Sequence, residues 1–133
     1  IDTKIYSSEK ANKLNITYRV AGSDDSLERD PSTREYISAK SYIGTSSNAD
    51  ELNIARGVMI SNTMISTGAG KDRVNFKGTS TPEGGVKFKR SILMTGADGD
   101  EINIENTYLD GAGSRGCEIK TGDGVTLEVV HEI

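Results

Sequence analysis

Met64-Ile65-Ser66-Thr67-Gly68-Ala69-Gly70-Lys71-Asp72-Arg73-Val74-Asn75-Phe76 decides the fold, because its skeleton occurs five times along the chain. The skeleton is an apolar residue, any residue, a Ser or Thr, a small polar loop, an Asp or Asn, and then a short apolar strand. Its other copies are Ile5-Ser7-Asn12-Leu14-Asn15-Ile16, Ile43-Thr45-Asp50-Leu52-Asn53-Ile54, Leu93-Thr95-Asp100-Ile102-Asn103-Ile104, and a shortened Ile119-Thr121-Asp123-Val125-Thr126-Leu127. The Ser/Thr positions 7, 45, 67, 95 and 121 lie 38, 22, 28 and 26 residues apart. A unit in the twenties cannot enclose a core of its own, so each copy is expected to be one coil that buries its apolar side against its neighbours.

The step of 22 residues is the bare coil, and the longer steps carry insertions. Gly78-Thr79-Ser80-Thr81-Pro82-Glu83-Gly84-Gly85 and Asp110-Gly111-Ala112-Gly113-Ser114-Arg115-Gly116 are Gly-rich turn segments that end a strand. The largest insertion falls near residues 21–38. There Asp30-Pro31-Ser32, followed by Arg34 and Glu35, is expected to open a short helical turn, with Asp as cap and Pro at the first position.

Each coil offers three strands. One ends at the Ser/Thr, the second is the apolar-Asn-apolar segment, and the third is suggested by Tyr18-Arg19-Val20, Val58-Met59-Ile60 and Val86-Lys87-Phe88. Alternation puts Leu14 with Ile16, Leu52 with Ile54, Val74 with Phe76 and Ile102 with Ile104 on one face, leaving Asn on the other. A period of two excludes a helix.

Composition agrees. The 133 residues make one domain, 1–133, with 34% apolar residues, 5% aromatics, no Trp and 15 Gly, which suits a thin solenoid better than a thick globular core. Net charge is −4 with Lys and Arg scattered, so no basic stripe points to nucleic acid. Cys117 is the single cysteine and excludes an internal disulfide; it reads as a small apolar strand residue. No stretch of about 18 apolar residues is present to span a membrane. The chain starts at Ile1 without a signal peptide, which reads as a processed product or an excised piece.

Three strands in a coil of about 22 residues give the chain its resemblance to single-stranded right-handed parallel β-helix proteins, the group that includes pectate lyases, phage tailspikes and many secreted surface proteins. The resemblance rests on periodicity over nearly the whole length and implies an all-β β-solenoid of about five coils with Gly-rich loop insertions. It does not imply an activity. A β-sandwich is the rival architecture; it explains short strands but not the recurring loop.

Two rows of residues stand out. Asn15, Asn53, Asn75 and Asn103 occupy equivalent outward positions, suited to a ladder of side-chain amides or to a polar ligand-binding row. The loops bring Asp50, Asp72, Asp98 and Asp100 to one edge. Gly68-Ala69-Gly70-Lys71-Asp72-Arg73-Val74 also has a weak partial similarity to the calcium-binding RTX nonapeptide, although those sites need tandem copies and these lie more than twenty residues apart. Asp72, Asp98 and Asp100 are therefore candidate calcium ligands, and Asp123 has the same chemistry. The alternative is that each Asp closes its own turn through the backbone.

Catalytic signatures are missing. His131 is the only histidine, and no nucleophile elbow, phosphate loop or dinucleotide fingerprint occurs. Asp98 and Asp100, with Arg90 or Arg115, hold the right functional groups for polysaccharide cleavage, but nothing marks them out. The leading expectation is a non-enzymatic structural or binding module of an extracellular surface protein, filament or virus particle, working in assembly or attachment. Its partners would be further copies or neighbouring segments of a larger protein. The C-terminal run 125–133 is read as a strand ready to pair. The runner-up is a polysaccharide-binding or polysaccharide-degrading domain, for which Tyr18, Tyr36, Tyr42 and Tyr108 would have to share one flank as a glycan platform.

Overall fold

The computed structural model describes residues 4–6, 13–22, 27–29, 32, 36–39, 41–110, 118–120 and 126–129. Its strands are β1 (Lys4–Tyr6), β2 (Lys13–Ile16), β3 (Val20–Ala21), β4 (Leu27–Arg29), β5 (Tyr36–Ala39), β6 (Tyr42–Gly44), β7 (Glu51–Ile54) and β8 (Met59–Ser61), followed by β9 (Met64–Ser66), β10 (Arg73–Lys77), β11 (Val86–Lys89), β12 (Ile92–Met94), β13 (Glu101–Glu105), β14 (Thr107–Asp110), β15 (Glu118–Lys120) and β16 (Thr126–Val129). They form three parallel sheets that run along the stack of coils. The first holds β1-β6-β9-β12-β15, the second β2-β7-β10-β13-β16 and the third β3-β8-β11-β14. The first four coils visit the three sheets in turn and the fifth adds β15 and β16 to the first two, which is a β-helix and not a sandwich.

Register follows the repeat. Ile5, Ile43, Ile65, Leu93 and Ile119 pair successively across the first sheet, and Leu14, Leu52, Val74 and Ile102 across the second. These inward columns close the core, where Ile43, Ile54, Ile60, Val74, Val86, Phe88 and Ile102 are buried. Each strand contributes only one or two large side chains, so the interior is thin. The aromatic pair Phe76 and Phe88 fills the third coil edge to face, with ring centroids 5.5 Å apart.

The fifth copy departs from the expected alignment. Leu127, not Val125, pairs with Ile102, and Glu128 stands opposite Asn103. The shift is two residues. A two-residue shift leaves every side chain on its original face, so alternation alone cannot detect it. The large insertion holds an antiparallel pair, β4 with β5, Leu27 opposite Ala39 and Glu28 opposite Ser38, and the helical turn expected between them lies, apart from Ser32, outside the described residues. Asp30, Pro31, Arg34 and Glu35 lie outside the described residues, as do Arg115, Cys117, Asp123 and His131.

Corners are of three kinds. Between first and second sheets the loops are residues 45–50, 67–72 and 95–100, all of one length. Between third and first they are the pairs 62–63 and 90–91, where Asn62 (φ 49°) and Arg90 (φ 45°) take the left-handed conformation needed to turn so tightly. Between second and third they vary, from residues 55–58 to 78–85 to Asn106 alone.

Candidate functional site

The conspicuous chemistry lies in columns, so each column is one structural unit. In the second sheet, Asn53 Nδ2 donates to Asn15 Oδ1 at 3.0 Å, Asn75 Nδ2 to Asn53 Oδ1 at 2.8 Å, and Asn103 Nδ2 to Asn75 Oδ1 at 2.8 Å. Every bond points the same way, from a later coil to an earlier one. The second amide hydrogen also has work in two coils. Asn53 donates to Glu51 Oε2 at 3.0 Å and Asn103 to Glu101 Oε1 at 2.9 Å.

Beside this ladder runs a column of alternating charge: Lys13, Glu51, Arg73, Glu101. Lys13 Nζ lies 3.3 Å from Glu51, and the Arg73 guanidinium lies 3.9 Å from Glu51 and 3.2 Å from Glu101. The Asn53 amide, helped by Lys13, holds Glu51 below the usual carboxylate range. Asn103 and then Arg73 do the same for Glu101. Alternation of sign removes the repulsion that a uniform column would suffer at a coil spacing of about 4.8 Å. Two shallow depressions of about 540 and about 520 Å³ lie over this face, both bordered by Glu51, Arg73 and Glu101.

The first-to-second corner stacks three loops. Asp50 N–H donates to Asp72 Oδ1 at 2.8 Å and Asp72 N–H to Asp100 Oδ1 at 2.9 Å, so the carboxylates cap the loop of the preceding coil. Asp50 also accepts from the N–H of Ser46 in its own loop at 3.0 Å. Asp98, at φ 80°, accepts the Gly70 N–H at 2.9 Å. Loop contact is close: a Cβ on Gly96 (φ 75°) would overlap the Gly68 carbonyl oxygen. Thr45 Oγ1 donates to the Thr67 carbonyl at 2.9 Å and Thr67 Oγ1 to the Thr95 carbonyl at 3.2 Å.

Asp72 and Asp100 are buried while Asp98 is exposed, so the three candidate calcium ligands do not converge. Among the described residues no group of three or more His, Cys, Asp or Glu side chains is arranged to hold a metal ion. The tyrosines are dispersed. Tyr42 stands on the first sheet, packed against Tyr6 at 5.3 Å between centroids; Tyr108 is on the third, with Lys89 Nζ 5.8 Å from its ring centre. Tyr18 lies in the corner before β3 and is 84% exposed, and Tyr36 begins the hairpin strand β5. Arg90 sits at the corner between third and first sheets, away from the Asp98 loop in the coil.

A further column escaped the sequence reading. Ser41, Thr63 and Ser91 are fully buried at the third-to-first corner, where Thr63 Oγ1 bonds with Ser41 Oγ at 3.1 Å and Thr63 N–H donates to Ser91 Oγ at 3.1 Å. The same intervals of 22 and 28 residues separate these hydroxyls as separate Thr45, Thr67 and Thr95, so the signal was in the spacing.

The columns end at the first coil. Ile5 and Leu14 are only half-buried, whereas Ile43 and Leu52 in the next coil are 0% and 1% exposed. A depression of about 260 Å³ opens there, with Ile5, Ile16 and Val20 in its wall. Comparison with protein-family models, curated proteins and solved structures finds no match to the chain. No helix is long and apolar enough to cross a membrane among the described residues.

Proposed function

We propose that this chain is a non-enzymatic β-solenoid module of an extracellular surface protein, filament or virus particle, and that its work is assembly or attachment. One observation carries the reading: the first coil leaves Ile5 and Leu14 half-buried, as Ile119 is in the fifth coil, whereas Ile43, Ile65, Leu93, Leu52, Val74 and Ile102 between them are closed. An apolar ledge beside an edge strand is the surface that another coil or another chain covers. The polar chemistry supports the same reading, because the Asn, Asp and Thr side chains serve as acceptors and donors between coils. Calcium stands outside the reading, since Asp72, Asp98 and Asp100 each direct an oxygen to a backbone N–H of the preceding coil.

Sedimentation velocity over a wide concentration range, with electron microscopy of the same samples, tests it. Mass that grows with concentration, and particles or filaments on the grid, are the expected results. A monomer that persists at high concentration and needs no partner overturns the reading.

A further inference from the structure

Resting on the attachment half of that reading, we propose that the outer face of the third sheet is a binding strip for an acidic polysaccharide, a sugar chain bearing carboxylate or sulfate groups. Cations that lie far apart in sequence are gathered there by the coiling. β11 turns Lys87 and Lys89 outward, because Val86 and Phe88 are its buried positions. Lys87 pairs with Met59 in the coil before it and with Tyr108 in the coil after it. Arg19 immediately precedes Val20, the partner of Ile60, so it stands opposite Met59 and extends the same column. That column therefore reads Arg19, Met59, Lys87, Tyr108 from coil to coil. Lys89 lies beside it, with its Nζ 5.8 Å from the centre of the Tyr108 ring.

The second sheet shows what balanced charge looks like in this molecule. There Lys13 meets Glu51, and Arg73 meets both Glu51 and Glu101. On the third sheet Arg19 and Lys87 are exposed, and neither makes an ion pair among the described residues. One carboxylate position stands in the strip, Asp110, in register with Lys89. The stacked corners that lead into it carry one charge of each sign, Arg56 and Glu83. Cations left over on one face of a chain whose net charge is −4 select an anion.

Geometry chooses among anions. Each coil turns two side chains outward here, about 7 Å apart, and three coil steps from Arg19 to Tyr108 cover about 14 Å. Such a strip accommodates one polymer chain and is too narrow for a duplex or a bilayer surface. A single nucleic-acid strand would need one aromatic platform after another for successive bases, and Tyr108 is the one aromatic in the two outward columns. A sugar ring fits better. Its C–H face can lie on Tyr108, which is 41% exposed, while its acid group reaches the ammonium of Lys87 or Lys89.

The test measures retention on immobilised dextran sulfate and polygalacturonate, with neutral dextran as the blank. Wild type should be held by at least one of the two polyanions, which identifies sulfate or carboxylate as the preferred group, and added salt should release it. Arg19→Gln combined with Lys87→Gln should weaken binding on the order of tenfold. Tyr108→Ala leaves the charge unchanged and should weaken it about threefold. Lys71→Gln removes one exposed cation from a corner loop on another face and should leave binding as it was. Melting curves of all variants should match wild type, since these side chains are exposed. No retention on either polyanion overturns the proposal, as does a loss with Lys71→Gln equal to that of the double variant. Equal affinity for a single-stranded oligonucleotide or for anionic lipid vesicles overturns the assignment to polysaccharide. Sedimentation of the same proteins without polymer reports on self-association separately, so failure of the strip leaves the assembly reading standing.

Discussion

Asp72 holds a carboxyl with divided obligations. One oxygen accepts the Asp50 N–H at 2.8 Å, and the other is buried without a hydrogen-bond partner among the described residues. Burial pushes its pKa up to about 6 from an ordinary 3.8, against the lowering effect of the Asp50 N–H, and neighbouring Asp100 and Asp50 raise it further. A carboxyl with a raised folded-state pKa stabilises the fold fully below its unfolded value of 3.8, and that contribution is lost as pH rises through about 6. Glu51 and Glu101 act in the opposite sense. Their pKa values are depressed from 4.5, so their contribution is present above 4.5 and disappears as pH falls through their folded values. Thermal stability should therefore peak on the mildly acidic side and decline toward about pH 8. Asp72→Asn keeps an oxygen for the Asp50 N–H and removes the titration, so its melting temperature should stay level from about pH 5 to about pH 8 and exceed that of wild type at the upper end. An unaltered decline in the variant would locate the pH dependence elsewhere.

Within a single sheet, stability comes from columns more than from strands, since β6, β8, β9 and β12 contain three residues each. Asn75 is a member with a ladder bond on both sides, at 2.8 Å to Asn53 and 2.8 Å from Asn103. Asn75→Ala removes both and leaves its two neighbours short of a partner, for a cost of about 1–2 kcal/mol. Asn15→Ala removes one bond at the open edge and should cost less than half as much; urea midpoints compare them directly. Strand order and core faces were legible because apolar residues alternate and the repeat recurs with a common loop. The Asn column was legible for the same reason, Asn being flanked by apolar residues in four copies. Leu127 against Ile102 was not, because a shift of two preserves the alternation, and only the pairing partner distinguishes the two registers. The β4–β5 pairing was not legible, because its two segments carry no copy of the repeat and its register shifts between Glu28 and Arg29. Asp72 and Asp100 look like turn caps in sequence, but their partner N–H groups belong to the coil before, and sequence distance of 22 or 28 residues conceals that contact.

Across the whole molecule, each coil touches only the coils beside it, so stability is a sum of coil and interface contributions and opening can begin at an end. Amide hydrogen exchange should show strongest protection over residues 52–104, with Lys4–Tyr6 and Lys13–Ile16 exchanging first, since Ile5 and Leu14 are half-buried and the β10 strand is flanked on both sides. Uniform protection from the first coil to the fourth would mean that the chain opens as one unit. The same nearest-neighbour build has a consequence at the corner between the second and third sheets. There the chain passes by a single residue at Asn106, by 55–58 in one coil and by 78–85 in another, while Val86 still pairs with Thr107 and Lys87 with Met59. Length at that corner is uncoupled from the register of the walls. A foreign peptide spliced between Thr79 and Gly84 would be carried on the outside of a rigid rod, and a row of such grafts would space its cargo at intervals fixed by the rod and not by the cargo.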